Sequence, residues 1–423
     1  MSAGTPGRGG TVSVLDVGTS KICCLIARAL PERSAAASGK RREIEVLGFA
    51  HQRSSGVRGG VIADLSAAEQ AIRRTLDTAE TRAGVAVGSL YVNVASDRVR
   101  SQTVRGTTTV SGDEVSDQDT ERALRDAGRQ TRVSGMRTLH SMPSRFTLDD
   151  VNEIDDPVGM VGGELSVSCN VVRAQEGALR NLERAINRAH VEVECMVATP
   201  YASALAATLG DEAELGCVSI DMGAATTSWA ILSGGRLIHA DAIPVGGQHV
   251  TSDLARGLSI TIEHAERLKV LEASVETGGI GNDHIPVAPF ASDGSTALAM
   301  IPREQLTRIV TPRLEETFEL VRKRIRASGY GRHADRRVIL TGGAAQLTGV
   351  TDLARRMLAR NVRVGRPVGV RGLPPQHKTP AFSAAIGLAV FPQFADRERH
   401  VGSAFALPTT GRFARLGRWF RDF

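Results

Sequence analysis

Aromatic residues are scarce in this chain: sixteen of 423, or 4%. A core must therefore be built from Val, Leu, Ile and Ala, which the 42% hydrophobic content supplies. The five cysteines, Cys23, Cys24, Cys169, Cys195 and Cys217, show no C-x-x-C spacing. Neither a zinc site nor a disulfide frame is expected from them, and they read as reduced core residues of a cytosolic protein. No window approaches the ~20 apolar residues of a membrane-spanning helix. Residues 1–10 carry no apolar stretch, so no signal peptide is expected either. G-x-x-x-x-G-K-[ST] and G-x-G-x-x-G are both missing, which removes the P-loop and dinucleotide-binding readings. The net charge of +6 is mild for this length, and the arginines are scattered rather than interleaved with aromatics. Nucleic acid is not an expected partner. The basic run Arg322-Lys323-Arg324-Ile325-Arg326 reads as a solvated helix face.

Glycine, in contrast, is plentiful at 44 residues, which suits many tight strand connections. After a polar tail over 1–10, the stretch Thr11 to Leu30 reads as a hairpin broken at Gly18-Thr19-Ser20, and Glu43 to Ala50 as a further strand. Asp64 to Arg82 is predicted helical, with Leu65, Ala68, Ile72, Leu76 and Ala79 as its apolar stripe. Leu90 to Ala95 opens a new strand, followed by a polar stretch, a helix over Ser116 to Gln130 and a β-run over Glu164 to Val172. This region, 90–172, reads as an inserted α+β subdomain. Helix resumes over Ala174 to Ala189. Then Val218 to Leu232 repeats the opening pattern of apolar strand, glycine bend and apolar strand.

That repeat organises the chain. Val14-Leu15-Asp16-Val17-Gly18-Thr19-Ser20 and Ser219-Ile220-Asp221-Met222-Gly223-Ala224-Ala225-Thr226 share D-x-G followed by small residues. In both, the Asp ends an apolar strand and the Gly begins a turn. Two such hairpins half a chain apart predict a duplicated α/β fold with a site between its halves. A nucleoside triphosphate needs backbone N–H donors that approach its phosphates, which glycine permits, and a carboxylate near magnesium, usually through water. The first bend offers Asp16, Gly18, Thr19, Ser20 and Lys21; the second offers Asp221, Gly223, Ala224, Ala225 and Thr226. One such bend is weak evidence. Two, with Thr341-Gly342-Gly343 after the strand Val338-Ile339-Leu340, are far more specific. Glu266 and Lys269 share a helix face at i, i+3, and spacing alone makes them a surface ion pair.

With these bends in place the sequence resembles the actin, sugar-kinase and DnaK-type superfamily and, within it, the family of cell-division protein FtsA over essentially the whole chain. Leu15 to Ile22 resembles the family's first phosphate motif, and Glu214-Leu215-Gly216 leading into Ile220-Asp221-Met222-Gly223 the second. Ile243-Pro244-Val245-Gly246-Gly247 with Val250 to Asp253, and Leu139-His140 with Pro143 and Asn152 to Gly159, are also similar. Val338 to Leu347 resembles the adenosine motif, and Ala381 to Leu388 the last connecting helix. The resemblance implies an α/β, duplicated actin-like fold with two lobes around a nucleotide cleft. Lobe 1 would comprise 11–89 and 173–210, interrupted by the insert at 90–172. Lobe 2 would comprise 211–249 and 336–394, with an outer subdomain at 250–335. ATP with magnesium is implied in the cleft, with Asp16 and Asp221 near the metal through water. By similarity Glu266 and Lys269 would meet the ribose or adenine, reversing the spacing-only reading, and Gly342 and Gly343 would back the nucleoside. The outer subdomain would take the C-terminal tail of FtsZ around Arg303, Glu304 and Arg308. Self-association into protofilaments, and other divisome partners at the insert, are also implied. One departure stands out: where the superfamily has G-G-G-T and then an acid, this chain has Ala224, Ala225 and, at the acidic position, Ser228. Since Ala198 to Leu205 also offers no Gln or Glu as a water-positioning base, weak or no ATP hydrolysis is expected.

Residues 395–410 read as a linker, and 411–423 as an amphipathic helix. At 100° per residue Phe413, Leu416, Trp419, Phe420 and Phe423 fall on one face. Arg415, Arg418 and Arg421 fall opposite, and Arg412 sits at the apolar edge, where its stem can snorkel. Thirteen residues make about 20 Å of helix, too short to span a bilayer but suited to lying in an anionic membrane surface. Burying the apolar face is worth on the order of 10 kcal/mol before the cost of folding the helix. The whole therefore reads as a membrane adaptor on the cytoplasmic side of the bacterial inner membrane, at the division site. An ATP-dependent small-molecule kinase of the same superfamily, or another actin-like membrane adaptor, is the alternative. A DnaK-like chaperone has no room, with about 30 residues left after the last connecting helix.

Overall fold

The computed structural model describes residues 10–31, 42–130, 133–276, 284–288, 298–334, 337–359 and 361–395. Its first hairpin joins β1 (Thr11–Val17) to β2 (Lys21–Ala29), and β3 (Ile44–Arg53) pairs antiparallel with β2. A two-stranded ribbon, β4 (Val57–Arg58) and β5 (Val61–Ile62), leads to α1 (Leu65–Ala83). Asp64 caps α1 by accepting from Ala67 N–H at 3.0 Å, and the helix ends at Gly84 in the left-handed region at φ 65°. Both ends follow from residue chemistry: a short acceptor satisfies a free N–H, and only glycine turns left without strain. Ala68, Ile72, Leu76 and Ala79 are buried against the sheet, as their spacing predicts.

β6 (Ser89–Val94) then runs parallel to β1, with Val14 opposite Tyr91 and Leu15 opposite Val92. This corrects the sequence reading, which opened the insert at residue 90. A nearly continuous apolar strand belongs where both faces are covered, and β6 lies inside the first sheet. The insert's own elements are β7 (Arg100–Thr109), α2 (Asp117–Arg129), β8 (Met136–Leu148), β9 (Val151–Ile154) and β10 (Glu164–Gln175). They enclose a separate small core, including Val104, Leu124, Leu165 and Val167. The chain returns through α3 (Glu176–Arg188), β11 (Glu192–Ala198), α4 (Thr199–Ala207) and α5 (Gly210–Leu215).

The second lobe begins with β12 (Cys217–Met222), β13 (Thr227–Ser233), β14 (Arg236–Ile243), α6 (Gly247–Gly257) and α7 (Ile262–Leu271). A small ribbon, β15 (His284–Val287) and β16 (Ala299–Pro302), precedes α8 (Arg303–Ala327) and the short α9 (Gly331–Ala334). β17 (Val338–Thr341), α10 (Val350–Met357), β18 (Val362–Val364), β19 (Val370–Arg371) and α11 (Ser383–Val390) complete the described chain.

The duplication is visible in strand order. One sheet runs β11-β6-β1-β2-β3-β19; the other begins β18-β17-β12-β13-β14. In each, two parallel strands flank a hairpin strand that is followed by two antiparallel ones. The second sheet continues through the insert as β7-β10-β8-β9, joined to β14 where Arg100 stands opposite Asp241. Two further readings are corrected. β19 pairs with β3, so residues 370–371 lie in the first sheet, and Phe382, Ile386 and Phe391 pack into the first lobe's core rather than the second's. The basic run on α8 is not wholly a solvated face. Ile325 is buried, Arg324 pairs with buried Asp241 at 2.8 Å, and Arg322 donates to Met357 O at 3.2 Å.

Where the lobes meet, α4 and α11 cross with every residue of both buried. Their apolar surface has no polar side, as expected of helices covered all round. Gly387 makes the approach possible, because a Cβ there would overlap the Ala202 carbonyl. Gly387→Ala is expected to lower stability by about 3 kcal/mol through overpacking that flexible side chains cannot relieve. A denaturant midpoint equal to that of the parent protein would contradict the tight crossing.

Candidate functional site at the two glycine bends

The two predicted bends are built alike. Gly18 N–H donates to Lys21 O at 3.0 Å, and Gly223 N–H to Thr226 O at 2.9 Å. Asp16 stands opposite Cys23 in its hairpin, and Asp221 opposite Ser228, the same register in both. Ser228 is buried at that position. In the first bend Thr19 Oγ1 accepts from Gly60 N–H at 3.0 Å, and Ser20 O from Ser54 N–H at 3.0 Å. In the second, Gly223 O and Ala224 O accept from Gly247 and Gln248 N–H at 2.9 and 2.7 Å, which ties the bend to the start of α6. Thr226 Oγ1 reaches across to Ala95 O in the first lobe, at 3.4 Å.

Both carboxyl groups are buried, and the charge of Asp221 acts on Asp16 across the lobes. Burial, opposed by Lys21 and reinforced by the charge of Asp221, pushes the Asp16 carboxyl up to about 6. Burial also raises Asp221, opposed by a hydrogen bond from Ser203 and by Lys21. Desolvation disfavours each charge, and the Lys21 ammonium offsets part of that cost for both. Lys21 Nζ also lies 5.0 Å from the centroid of the Phe382 ring, at the start of α11.

The Thr341-Gly342-Gly343 turn closes on the same place. Gly342 has φ 86°, and a Cβ there would overlap Asp221 Oδ1, so glycine is required twice over. Its N–H donates to Pro380 O at 3.1 Å, while Thr341 Oγ1 lies 2.6 Å from Ser383 Oγ. Glu266 and Lys269 form an ion pair of 2.6 Å, and Lys269 also donates to Thr251 Oγ1 at 2.9 Å and to Gly247 O at 3.2 Å. Gly247 is bonded to Gly223, and a Cβ on it would lie 3.2 Å from Ala344 and 3.6 Å from Lys269 Nζ. The structure therefore links the two bends that hold Asp16, Gly18, Thr19, Ser20 and Lys21 and Asp221, Gly223, Ala224 and Thr226 with Glu266, Lys269, Gly342 and Gly343 through one run of neighbouring contacts. It does not bring Arg303, Glu304 and Arg308 there. Arg303 pairs with Glu272 at 2.6 Å and Glu304 with Arg308 at 2.8 Å, at the start of α8. Phe413 to Phe423 lie outside the described residues.

The roles of three polar residues were missed by sequence reasoning. Asn93 Nδ2 donates to Asp16 Oδ1 at 2.7 Å and to Thr199 Oγ1 at 3.2 Å, while its Oδ1 accepts from Val17 N–H at 2.7 Å. Ser203 on α4 bonds Asp221. His140 of the insert accepts from Ala198 N–H at 2.9 Å, at the start of the same helix. Asn93 in Leu90-Tyr91-Val92-Asn93-Val94 and Ser203 in Ala202-Ser203-Ala204-Leu205 are lone polar residues in apolar runs. Burial of such a residue demands a partner, which is the signal that could have found them.

Among the described residues no cluster of three or more His, Cys, Asp or Glu could hold a metal. Two buried, half-compensated carboxylates nevertheless suit magnesium, which keeps its waters and takes one or two carboxylates plus phosphate oxygens. The glycines and Lys21 fit the phosphates.

Comparison with known proteins places this geometry. A family profile described as "Cell division protein FtsA" matches residues 218–387, and one described as "SHS2 domain inserted in FTSA" matches 96–173. The chain is 48% identical over 420 residues to "Cell division protein FtsA" of Rhizobium meliloti strain 1021, covering 98% of this chain and 95% of that protein. To the Escherichia coli K12 protein of the same name it is 27% identical, covering 96% of each. Among solved structures it resembles a PilM-PilN type IV pilus biogenesis complex, with a TM-score of 0.62 at 17% identity over 92% of this chain and 98% of that one. It also resembles MreB5 of Spiroplasma citri bound to ADP, with a TM-score of 0.55 at 14% identity over 92% and 97%. These two likenesses confirm the actin-like α/β fold.

The raised Asp16 carboxyl makes stability depend on pH in a stated direction. A folded value above the ordinary 3.8 penalises the ionised form. That penalty is absent below about 4 and complete above about 6. Asp16→Asn keeps the acceptor for Asn93 but removes the charge. In the absence of ligands it is expected to be more stable than the parent by about 1–3 kcal/mol at pH 8, with the advantage shrinking at pH 5. Unfolding titrations at both pH values check this; an advantage that does not change with pH would contradict the buried-charge assignment.

Proposed function

The chain belongs to the family of cell division protein FtsA, and from that premise we propose that it binds ATP with magnesium between its lobes and tethers FtsZ filaments to the inner face of the cytoplasmic membrane. The observation that carries the nucleotide reading is the pair of matched bends, each with a buried carboxylate that feels the charge of Lys21. Bound magnesium would supply the positive charge that Lys21 alone provides only in part. The N–H groups of the bends would take phosphate oxygens, Gly342 and Gly343 would back the nucleoside, and Glu266 and Lys269 would meet the ribose or adenine. Asn93 holds the Asp16 carboxylate in place from outside the phosphate contacts.

Hydrolysis is proposed to be slow or absent. The helix that reaches both carboxylates, α4, reads Thr199-Pro200-Tyr201-Ala202-Ser203-Ala204-Leu205-Ala206-Ala207, with no carboxylate or amide to orient a water. Its Ser203 is occupied by Asp221, and its Thr199 by Asn93. The same lack disfavours the kinase alternative, which needs a catalytic group facing a substrate. The adaptor reading draws on the terminal basic and aromatic segment. Four aromatics and a leucine on one face, with arginines opposite worth about 1 kcal/mol each near anionic lipid, give reversible attachment. Protofilaments of the chain would strengthen it by avidity. The start of α8, where Arg308 and Glu304 are exposed, is proposed as the FtsZ tail contact, and the insert as a contact for other divisome proteins.

Gly342→Val should abolish or weaken ATP binding at least tenfold by filling the space against Asp221, as measured by calorimetric titration with magnesium present; unchanged affinity would remove the nucleotide from this gap. Trp419→Glu should release the protein from vesicles containing anionic lipid while leaving ATP affinity as it was. On the same vesicles, Arg308→Glu should lose capture of an FtsZ tail peptide without loss of sedimentation. Equal pelleting of parent and Trp419→Glu would overturn the membrane reading, and undiminished peptide capture the α8 contact.

A further inference from the structure

The far end of the insert has a composition opposite to the rest of the chain. Residues 113–117 and 149–164 hold nine acidic residues and no lysine or arginine, in a protein whose net charge is +6. The fold brings the two segments together. Val115 N–H donates to Met160 O and Gly159 N–H to Val115 O, both at 2.8 Å, and Glu114 bridges Val161. Glu164 N–H donates to Asp149 Oδ1 at 2.8 Å, closing the loop beside β9, the edge strand of its sheet. Arg145 and Arg236 approach Asp155 only at 3.8 and 3.9 Å.

Within this acidic surface four apolar side chains stand in solvent: Val151, Val158, Met160 and Val161 are 57, 43, 37 and 76% exposed. Grouped exposed apolar residues within a charged surface mark a docking site. The partner they fit is basic and apolar together.

The chain itself contains such a partner. Segment 411–423 carries four arginines against one aspartate, with Phe413, Leu416, Trp419, Phe420 and Phe423 among them. The described chain also leaves the fold beside the insert. Phe391 lies 5.7 Å, centroid to centroid, from His140 near the base of β8, and the description ends at Ala395. From His140 to Leu148, at the distal end of β8, is about 26 Å at strand rise. The fifteen residues 396–410 can extend about 50 Å. A tether of that length gives an effective concentration of about a millimolar, so modest complementarity suffices.

We infer that the distal acidic and apolar face of the insert docks the chain's own segment 411–423 when no membrane is present. The face and anionic lipid then compete for one basic, aromatic surface. This rests on the reading of 411–423 as an amphipathic membrane segment. Docking would keep that surface covered away from lipid, and a partner occupying the insert would release it.

The test uses the full-length protein and two full-length variants, Val151→Asn/Val161→Asn, which leaves the charge alone, and Asp155→Lys/Asp156→Lys. Hydrogen exchange is followed without lipid, and sedimentation with vesicles of 30 mol% phosphatidylglycerol in phosphatidylcholine. Amides of 411–423 in the parent should exchange at least tenfold more slowly than in either variant, independently of a twentyfold dilution. The Val151→Asn/Val161→Asn variant should also sediment at severalfold lower lipid. Free-chain exchange in the parent, protection in both variants equal to the parent's, or protection that falls on dilution would overturn intramolecular docking, the last by making a second copy the occupant. Protection that persists in a protein that never sediments would support docking while sinking the membrane reading.

Discussion

Two buried carboxyl groups that share the charge of one lysine set the terms for the rest of this molecule. Asp16 and Asp221 come from hairpins separated by about half the chain, yet the charge of Asp221 adds to the cost of ionising Asp16, and Lys21 lowers that cost for both. Such an arrangement is unfavourable for a scaffold alone. The molecule supports it with Asn93 on one carboxylate and Ser203 on the other. A fold that maintains this cost, and keeps glycine at 342 where a Cβ would overlap Asp221 Oδ1, fits the proposed ligand, which brings a cation and phosphate acceptors together.

The helix α4 connects the parts. Its start donates the Ala198 N–H to His140 of the insert and touches Asp16 through Thr199 and Asn93. Its middle touches Asp221 through Ser203 and packs against Gly387 of α11. A change at either carboxylate is thus felt by an element that the insert also grips. The insert, though it interrupts the first lobe in sequence, extends the second lobe's sheet through the Arg100–Asp241 pairing, with Arg324 of α8 on the same carboxylate.

What the sequence revealed was local. The two hairpins, the capped helix after Asp64 and the Thr341-Gly342-Gly343 turn each announce themselves through a bend residue beside an apolar run, and all form where expected. What it hid was relational. Asn93 and Asp16 are 77 positions apart and meet only because β6 lies parallel to β1. For the same reason β6 was assigned to the insert: an apolar strand does not disclose which sheet it joins. The placement of residues 370–391 in the first lobe's core was equally hidden, because a two-residue strand such as β19 carries no periodicity. The solvated-face reading of Arg322 to Arg326 failed where Arg324 finds a buried carboxylate, a partner that no local pattern predicts.

A crystal structure of the full-length protein with a non-hydrolysable ATP analogue and magnesium tests the central claim most directly. Triphosphate density held by both bends, with the metal within a water's reach of Asp16 and Asp221, is the expected result. A gap that stays empty at saturating analogue, or an analogue bound to one bend alone, would contradict the claim.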